Sequence, residues 1–366
     1  MKKIIYLLAV ILIAAACKQK QETAATDTQT EKKPKNIILM IGDGMGISQV
    51  YAAYKVKNDN TAMARCKFVG LVNTSSADEL ITDSAAAGTA MATGKKTNNG
   101  HIGVLPSGEK LKTILEIAEQ HGKASGLVAT SAITHATPAS FIAHHPSRHE
   151  YEALAMDFLQ TEVDVFFGGG KAHFGSREDG LYLLDSLQNK GYDLIYNYEE
   201  IDDARGPLIA GLFGEKHLPK HLDGRGDYLD KASMKAIEVL DQDEDGFFLM
   251  IESSQIDWGG HDNDQEYVVD ETVEFDNLVE KVLDFAEKNG ETLVIITSDH
   301  ETGGFTVVDG TLKGDSLVGH FSTGHHTPVF VPLFAYGPGA EDFSGLYENT
   351  AIFDKMVHAF GFGNEK

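Results

Sequence analysis

From Asn36 onward, short apolar runs alternate with longer charged stretches of helical period, as in strands that alternate with helices in a largely parallel sheet. Strands are predicted at Ile37–Ile41, Gly126–Thr130, Val163–Phe167, Phe247–Ile251, Leu293–Thr297 and Val331–Tyr336. Helices are predicted between them, notably at 111–121, 149–160, 230–241 and 267–288. The expected fold class is α/β, a largely parallel central sheet sandwiched between helices. With no internal repeat and no second linker rich in Pro, Gly or Ser, residues 36–366 are expected to form one domain. Residues 171–230 carry the least pattern and receive no role, and the RGD triplet Arg225–Asp227 is read as coincidence.

The first residues follow a different pattern. Lys2 and Lys3 precede an apolar run, Ile4–Ile13, and small residues lead to Cys17. The run is short for a membrane-spanning helix and reads as an export signal, a signal peptide over 1–16. Cleavage after Ala16 fits an ordinary signal peptidase site at Ala14-Ala15-Ala16, or lipid attachment to Cys17. The second is the expectation, although Ala14 stands where such sites usually carry Leu. Residues 17–35 are polar, rich in Thr and without periodicity, which reads as a lipidated tether. The expected location is outside the cytoplasm, as a periplasmic or outer-membrane-anchored lipoprotein that meets the membrane only through its anchor. The chain has two cysteines, so lipidation of Cys17 would leave Cys66 as a lone, packed thiol.

Composition narrows the function. A chain of 366 residues, 42% hydrophobic, can bury the core of a full enzyme. Its formal net charge of -24 argues against a nucleic-acid-binding surface, which needs clustered Lys and Arg.

Three predicted strands run into acids: NIILMIGDG reaches Asp43, FFLMIES reaches Glu252 with Asp257 and His261 beyond, and TLVIITSDH delivers Asp299 and His300. Carboxyl ends of parallel strands line a common crevice, so these residues are expected to converge. One Asp after a strand is ordinarily a helix cap. Three acidic strand ends, two of them with a nearby His, point instead to metal ions. Carboxylate with imidazole suits zinc, whereas carboxylate, hydroxyl and water suit magnesium. Asp257 and His261 are four apart, as in helical zinc motifs, but Gly259 and Gly260 between them predict a loop. Ser84, in ITDSAAAGTAMATGKKTNNG, is the candidate nucleophile, expected at the N-cap of an Ala-rich helix. No Gly-x-Ser-x-Gly elbow is present, so a Ser-His-Asp hydrolase is not suggested.

Asp43 in GDGMG, Ser84 in TDSAAAGTA, THATPASFIAHHPSR from Thr134 to Arg148, ESSQIDWGGH, SDHETGGF and TGHHTP together resemble the alkaline phosphatases, in order and across 36–340. The resemblance implies an enzyme acting on small phosphate monoesters and releasing inorganic phosphate, through a phosphoserine on Ser84, with two zinc ions and one magnesium ion. It implies Asp257, His261 and His326 at the first zinc, and Asp43, Asp299, His300 and the Ser84 oxygen at the second. Thr137, Glu252 and a shared Asp43 would hold magnesium. His326 aligns better than His325 with the family's ligand before the final strand. Arg148 would grip two phosphate oxygens with its planar fork. Metal ions would supply the positive charge that so acidic a chain lacks.

This chain carries His135 and Trp258 where enteric bacterial members have Asp and Lys, a pairing similar to other branches that include cold-adapted marine enzymes. Both are expected outside the ligand set, beside the magnesium. The stretch between Gly304 and His326 is short, so the large surface insertion of some relatives is missing, and a homodimer is left open. The alternatives are a phosphodiesterase or sulfatase of the same superfamily, or a lipoprotein that binds metal or phosphate without turnover. A sulfatase needs a C-x-P-x-R-like motif that Ser84 lacks.

Overall fold

The computed structural model describes residues 33–363; the predicted signal peptide, Cys17 and nearly all of the tether lie outside the described residues. The strands are β1 (Asn36–Gly42), β2 (Phe68–Asn73), β3 (Ala124–Ala132), β4 (Val165–Gly169), β5 (Asp193–Ile195), β6 (Ile209–Leu212), β7 (Phe247–Ser253) and β8 (Thr292–Thr297). There follow β9 (Glu301–Thr302), β10 (Thr306–Gly310), β11 (Leu317–His320), β12 (His326–Thr327), β13 (Val331–Tyr336) and β14 (Gly345–Glu348). Ten of them form one sheet in the order β14-β2-β13-β8-β1-β7-β3-β4-β6-β5. Every neighbouring pair is parallel except the two that β13 makes, with β8 and with β2.

The central strands are apolar on both faces, as strands buried between helical layers must be. Ile37, Leu39 and Ile41 of β1 pack with the helices Ile114–Gln120, Tyr151–Gln160 and Thr350–Phe360. Ile38 and Met40 point the other way, toward the helices Tyr228–Leu240 and Gln265–Asn289. The fold is thus the expected sheet between helical layers. All six predicted strands and all four predicted helices are present, with ends displaced by a few residues.

The omissions have physical causes. In β2, FVGLVN, a glycine interrupts the apolar run because a Cβ at Gly70 would come within 2.6 Å of the Phe343 carbonyl oxygen. The 171–230 stretch extends the sheet with β5 and β6, strands too short to show a period. Arg225 is buried in it, donating to Glu271, Glu274 and the Pro219 carbonyl, so the arginine of the RGD triplet is an internal anchor.

A histidine clamps the helix Ile114–Gln120 to the loop before it. His144 Nδ1 donates to the Gly103 carbonyl at 2.9 Å, and Nε2 donates to Glu116 at 3.1 Å. Burial pushes its pKa down, but Glu116 and the carbonyl outweigh that and raise it. The contribution is therefore complete below the unfolded value near 6.5 and is lost as pH rises through the folded value. His144→Gln should cost about 1.5 kcal/mol at pH 6 and less at pH 9, measured by urea unfolding. An equal loss at both pH values would contradict the clamp.

Candidate active site and metal centre

The middle strands β8, β1, β7 and β3 open their carboxyl ends into one crevice, where residues far apart in sequence meet. His300 Nε2 stands at its centre, 3.3 Å from Ser84 Oγ, 3.2 Å from Asp299 Oδ2 and 3.6 Å from Asp43 Oδ1. All four residues are buried. The His300 ring stacks on His326 with centroids 3.5 Å apart, which joins this group to a second. In that group His326 Nε2 lies 3.2 Å from His261 Nε2 and 3.5 Å from Asp257 Oδ1, while His261 Nε2 is 3.3 Å from Asp257 Oδ2.

The protons on these rings can be placed by chemistry. Carbonyl oxygens only accept, so His261 Nδ1 donates to Gly324 (2.9 Å) and His326 Nδ1 to Thr82 (2.8 Å). Thr302 donates its hydroxyl proton to Asp257, leaving its oxygen to accept from His300 Nδ1 at 3.2 Å. Each imidazole therefore turns Nε2 into the crevice with Nδ1 tied behind it, the arrangement that orients metal-ligating histidines. Two Nε2 atoms facing each other at 3.2 Å need a cation or a proton between them.

The acids make the same demand. Both Asp43 oxygens, Asp299 Oδ2, Glu252 Oε1 and Thr137 Oγ1 are buried without hydrogen-bond partners. Burial, then Asp299, Asp257 and Glu252, raise the Asp43 carboxyl far above its usual range. Burial, followed by Asp257, lifts Asp299 to about 6, and burial lifts Glu252 to about 7. Burial would also raise Asp257, but His261, His300 and His326 around it hold its carboxyl well below the normal range. Through its hydrogen bond, Asp257 in turn lifts His261 to about 9. Unpaired carboxylates cost several kcal/mol to bury, so the site fits cations held among these oxygens and ring nitrogens.

A third group lies alongside. Ser131 and Ser254 donate to Glu252 Oε2 at 3.3 and 2.5 Å, leaving Oε1 free toward the crevice beside Thr137, on the short helix Ala136–Ala139. His135 caps that helix, with Nδ1 unpartnered and Nε2 3.5 Å from an Arg148 nitrogen. Trp258 meets His135 edge-on, with ring centroids 6.1 Å apart.

Two local expectations are corrected. Asp83, not Ser84, is the N-cap: its Oδ1 accepts the Ala86 amide, and Ser84 opens the helix Ser84–Thr93. The other Asp83 oxygen accepts from Arg148 at 3.0 Å and from the Gly100 amide at 2.9 Å, so one residue anchors both the helix and the guanidinium. Sequence reasoning missed Asp83, although its place directly before Ser84 was the available signal. The second correction concerns Gln255–His261, a helix where a loop was expected. Its glycines serve close approach: a Cβ at Gly259 would meet Val268 at 2.8 Å, and one at Gly260 would meet Thr302 at 2.9 Å.

Of the neighbouring histidines, His326 faces Asp257 and His261, whereas His325 is exposed and its backbone carbonyl accepts the Gly303 amide at 2.9 Å. Cys66 is buried away from the crevice, its thiol pushed by burial to about 12, so it is no rival nucleophile.

Comparison with known proteins follows this geometry. The family model for alkaline phosphatase matches residues 34–320. Alkaline phosphatase 4 of Bacillus subtilis (strain 168) is 33% identical, over 93% of this chain and 91% of its own length. The alkaline phosphatase of Escherichia coli (strain K12) is 30% identical, over 93% and 89%. The solved alkaline phosphatase from the Antarctic bacterium TAB5 superposes with a TM-score of 0.86 at 41% identity, covering 91% of this chain and all of that one. A His-to-Asp mutant of the TAB5 enzyme, 40% identical over 91% of this chain and 99% of its own with a TM-score of 0.86, holds magnesium in its M3 site. Matched along nearly its whole length in sequence and in fold, the chain is a member of the alkaline phosphatase family.

Proposed function

We propose that this chain hydrolyses phosphate monoesters to an alcohol and inorganic phosphate through a phosphoserine on Ser84, with two zinc ions and one magnesium ion. The observation that carries the reading is Ser84 Oγ at the first turn of a helix, 3.3 Å from His300 Nε2 at the junction of two ligand groups. Asp257, His261 and His326 would hold one zinc. Asp43, Asp299 and His300, beside the Ser84 oxygen, would hold the other. Thr137, Glu252 and Asp43 offer hard oxygens for magnesium. When bound, such ions stabilise negative charge on the serine oxygen and on the departing alkoxide.

Ser84 gives up its hydroxyl proton to water, Oγ attacks phosphorus, the P–O bond to the alcohol breaks, and the phosphoryl group passes to the serine. The departing alkoxide takes a proton from water to leave as the alcohol. Arg148, held from behind by Asp83, presents its remaining N–H groups to the non-bridging oxygens. Backbone N–H groups of the first helical turn add to the positive field around the phosphoryl group. Water then attacks the phosphoserine in line, phosphate leaves, and Ser84 recovers its proton.

In this reading His135 stays outside the ligand set and Trp258 supplies a stacking face and an N–H donor. Magnesium is accordingly held loosely. Support comes from the TAB5 mutant in which aspartate replaces a histidine and magnesium occupies M3. For enzyme stripped by chelator, zinc alone should restore part of the activity on a chromogenic monoester, and magnesium the rest. His135→Asp should lower the magnesium concentration needed at least several-fold. Full activity with zinc alone would overturn the magnesium assignment, and equal turnover of a diester would overturn the monoester reading.

The same reading extends to location and assembly. Export and lipid anchoring through Cys17 rest on the apolar run and the tether that follows. A homodimer is supported by exposed Ile47, Tyr51, Val308, Leu312, Val329 and Phe330.

A further inference from the structure

The loop between β6 and the helix Tyr228–Leu240 brings one side chain, His217, to the edge of the crevice. Its Nδ1 accepts the Ala132 amide at 3.1 Å, at the carboxyl end of β3. A ring nitrogen that accepts carries no proton, so the imidazole is the neutral Nε2–H form, and burial followed by Lys216 lowers its pKa accordingly. Ala132 is where β3 shifts register against β4, and from there the chain turns into His135 and Thr137. The same ring meets Trp258 at 4.8 Å and His135 at 5.4 Å, both nearly perpendicular.

The loop is fixed from three sides. Lys216 packs directly on Gly169, the last residue of β4, where a Cβ would come within 2.2 Å of the Lys216 carbonyl oxygen. Gln255 Nε2, on the helix that carries Asp257, donates to the carbonyls of Leu218 and Thr130, each at 3.0 Å. Arg225 donates to the Pro219 carbonyl at 2.9 Å. A loop tied this way holds its histidine in one place, and a side chain so held sets the position of what it touches.

We propose that His217 is a positioning residue for the magnesium site: it fixes the turn from Ala132 to Thr137 and braces Trp258 and His135 beside it. The inference rests on the magnesium reading above. Removing the imidazole strips the Ala132 amide of its acceptor and opens a gap against Trp258. The first loss loosens the element that presents Thr137 and the second frees the Trp258 side chain, while Asp257 and His261 on the same helix keep their own partners, Thr302 and the Gly324 carbonyl.

Trp258 is the sole tryptophan of the chain, so its emission reports on this corner alone. Magnesium is titrated into zinc-loaded enzyme, following bound ion and Trp258 emission. His217→Ala should raise the half-saturating magnesium concentration roughly tenfold to a hundredfold and shift the emission, with zinc content unchanged. His217→Asn places an amide oxygen near the old Nδ1 and should recover most of the affinity without restoring the ring contact. His217→Phe keeps a ring and lacks the acceptor; it should bind magnesium weakly, and serves if the alanine variant does not fold. Wild-type affinity in the alanine or phenylalanine variant would overturn the proposal, as would loss of zinc together with magnesium in all three. If wild-type enzyme takes up no magnesium, and Glu252→Gln behaves as it does, the magnesium reading has failed and the inference with it.

Discussion

Replacing Ser84 with alanine should abolish turnover while leaving fold and metal content intact. The serine oxygen stands 3.3 Å from His300 Nε2, among carboxylates and imidazoles, and it sits buried at the first turn of its helix. In the proposed mechanism no covalent phosphoryl-enzyme forms without it, and only direct attack by water on the bound ester remains. Losing a nucleophile typically costs on the order of 10³ to 10⁶ in kcat, the residue of activity coming from binding and charge stabilisation. The helix should survive, because Asp83 supplies its N-cap and Ala at the first helical position has high propensity. Steady-state kinetics with circular dichroism and zinc analysis on the same sample would check this. A variant with near wild-type kcat would remove Ser84 from the mechanism.

His300→Ala should be comparably severe by a different route. One nitrogen, Nε2, lies within 3.6 Å of Asp43, Asp299 and Ser84, and the ring stacks on His326 in the adjoining group. In the proposed metal set its loss removes a ligand and leaves Asp43 and Asp299 as neighbouring buried acids with less bound positive charge to offset them. Bound zinc should fall, and kcat/KM should drop roughly a thousandfold, about 4 kcal/mol of transition-state stabilisation. Added zinc should recover little if His300 is a ligand, as proposed, and not part of an access route. Full zinc content with activity within tenfold of wild type would show that His300 lies outside the metal set.

Much of this site was legible because parallel strands deliver their C-terminal residues to one edge, and β1, β7 and β8 are apolar enough to be recognised as strands. Asp43, Glu252, Asp299 and His300 follow from that rule alone. What escaped was set by tertiary contact. Gly259 and Gly260 read as loop formers, yet they let a helix press against Val268 and Thr302. Asp83 looked like part of a serine motif, and its second role as the Arg148 anchor depends on Arg148 arriving from 65 residues away. His217 had no local signal, because β6 and its loop gain their order from contacts with β4, Gln255 and Arg225. The antiparallel β13 could not be told from its parallel neighbours, since a buried strand shows the same apolar run in either direction.

The central claim is a covalent phosphoryl-enzyme on Ser84, and it can be observed directly. Enzyme turning over a monoester labelled in its phosphoryl group is quenched rapidly in acid, digested, and the labelled peptide sequenced. The account predicts label on the peptide carrying TDSAAAGTA, at Ser84, and no label in the Ser84→Ala variant. Label on any other residue, or sustained turnover with no labelled protein at any quench time, would contradict it.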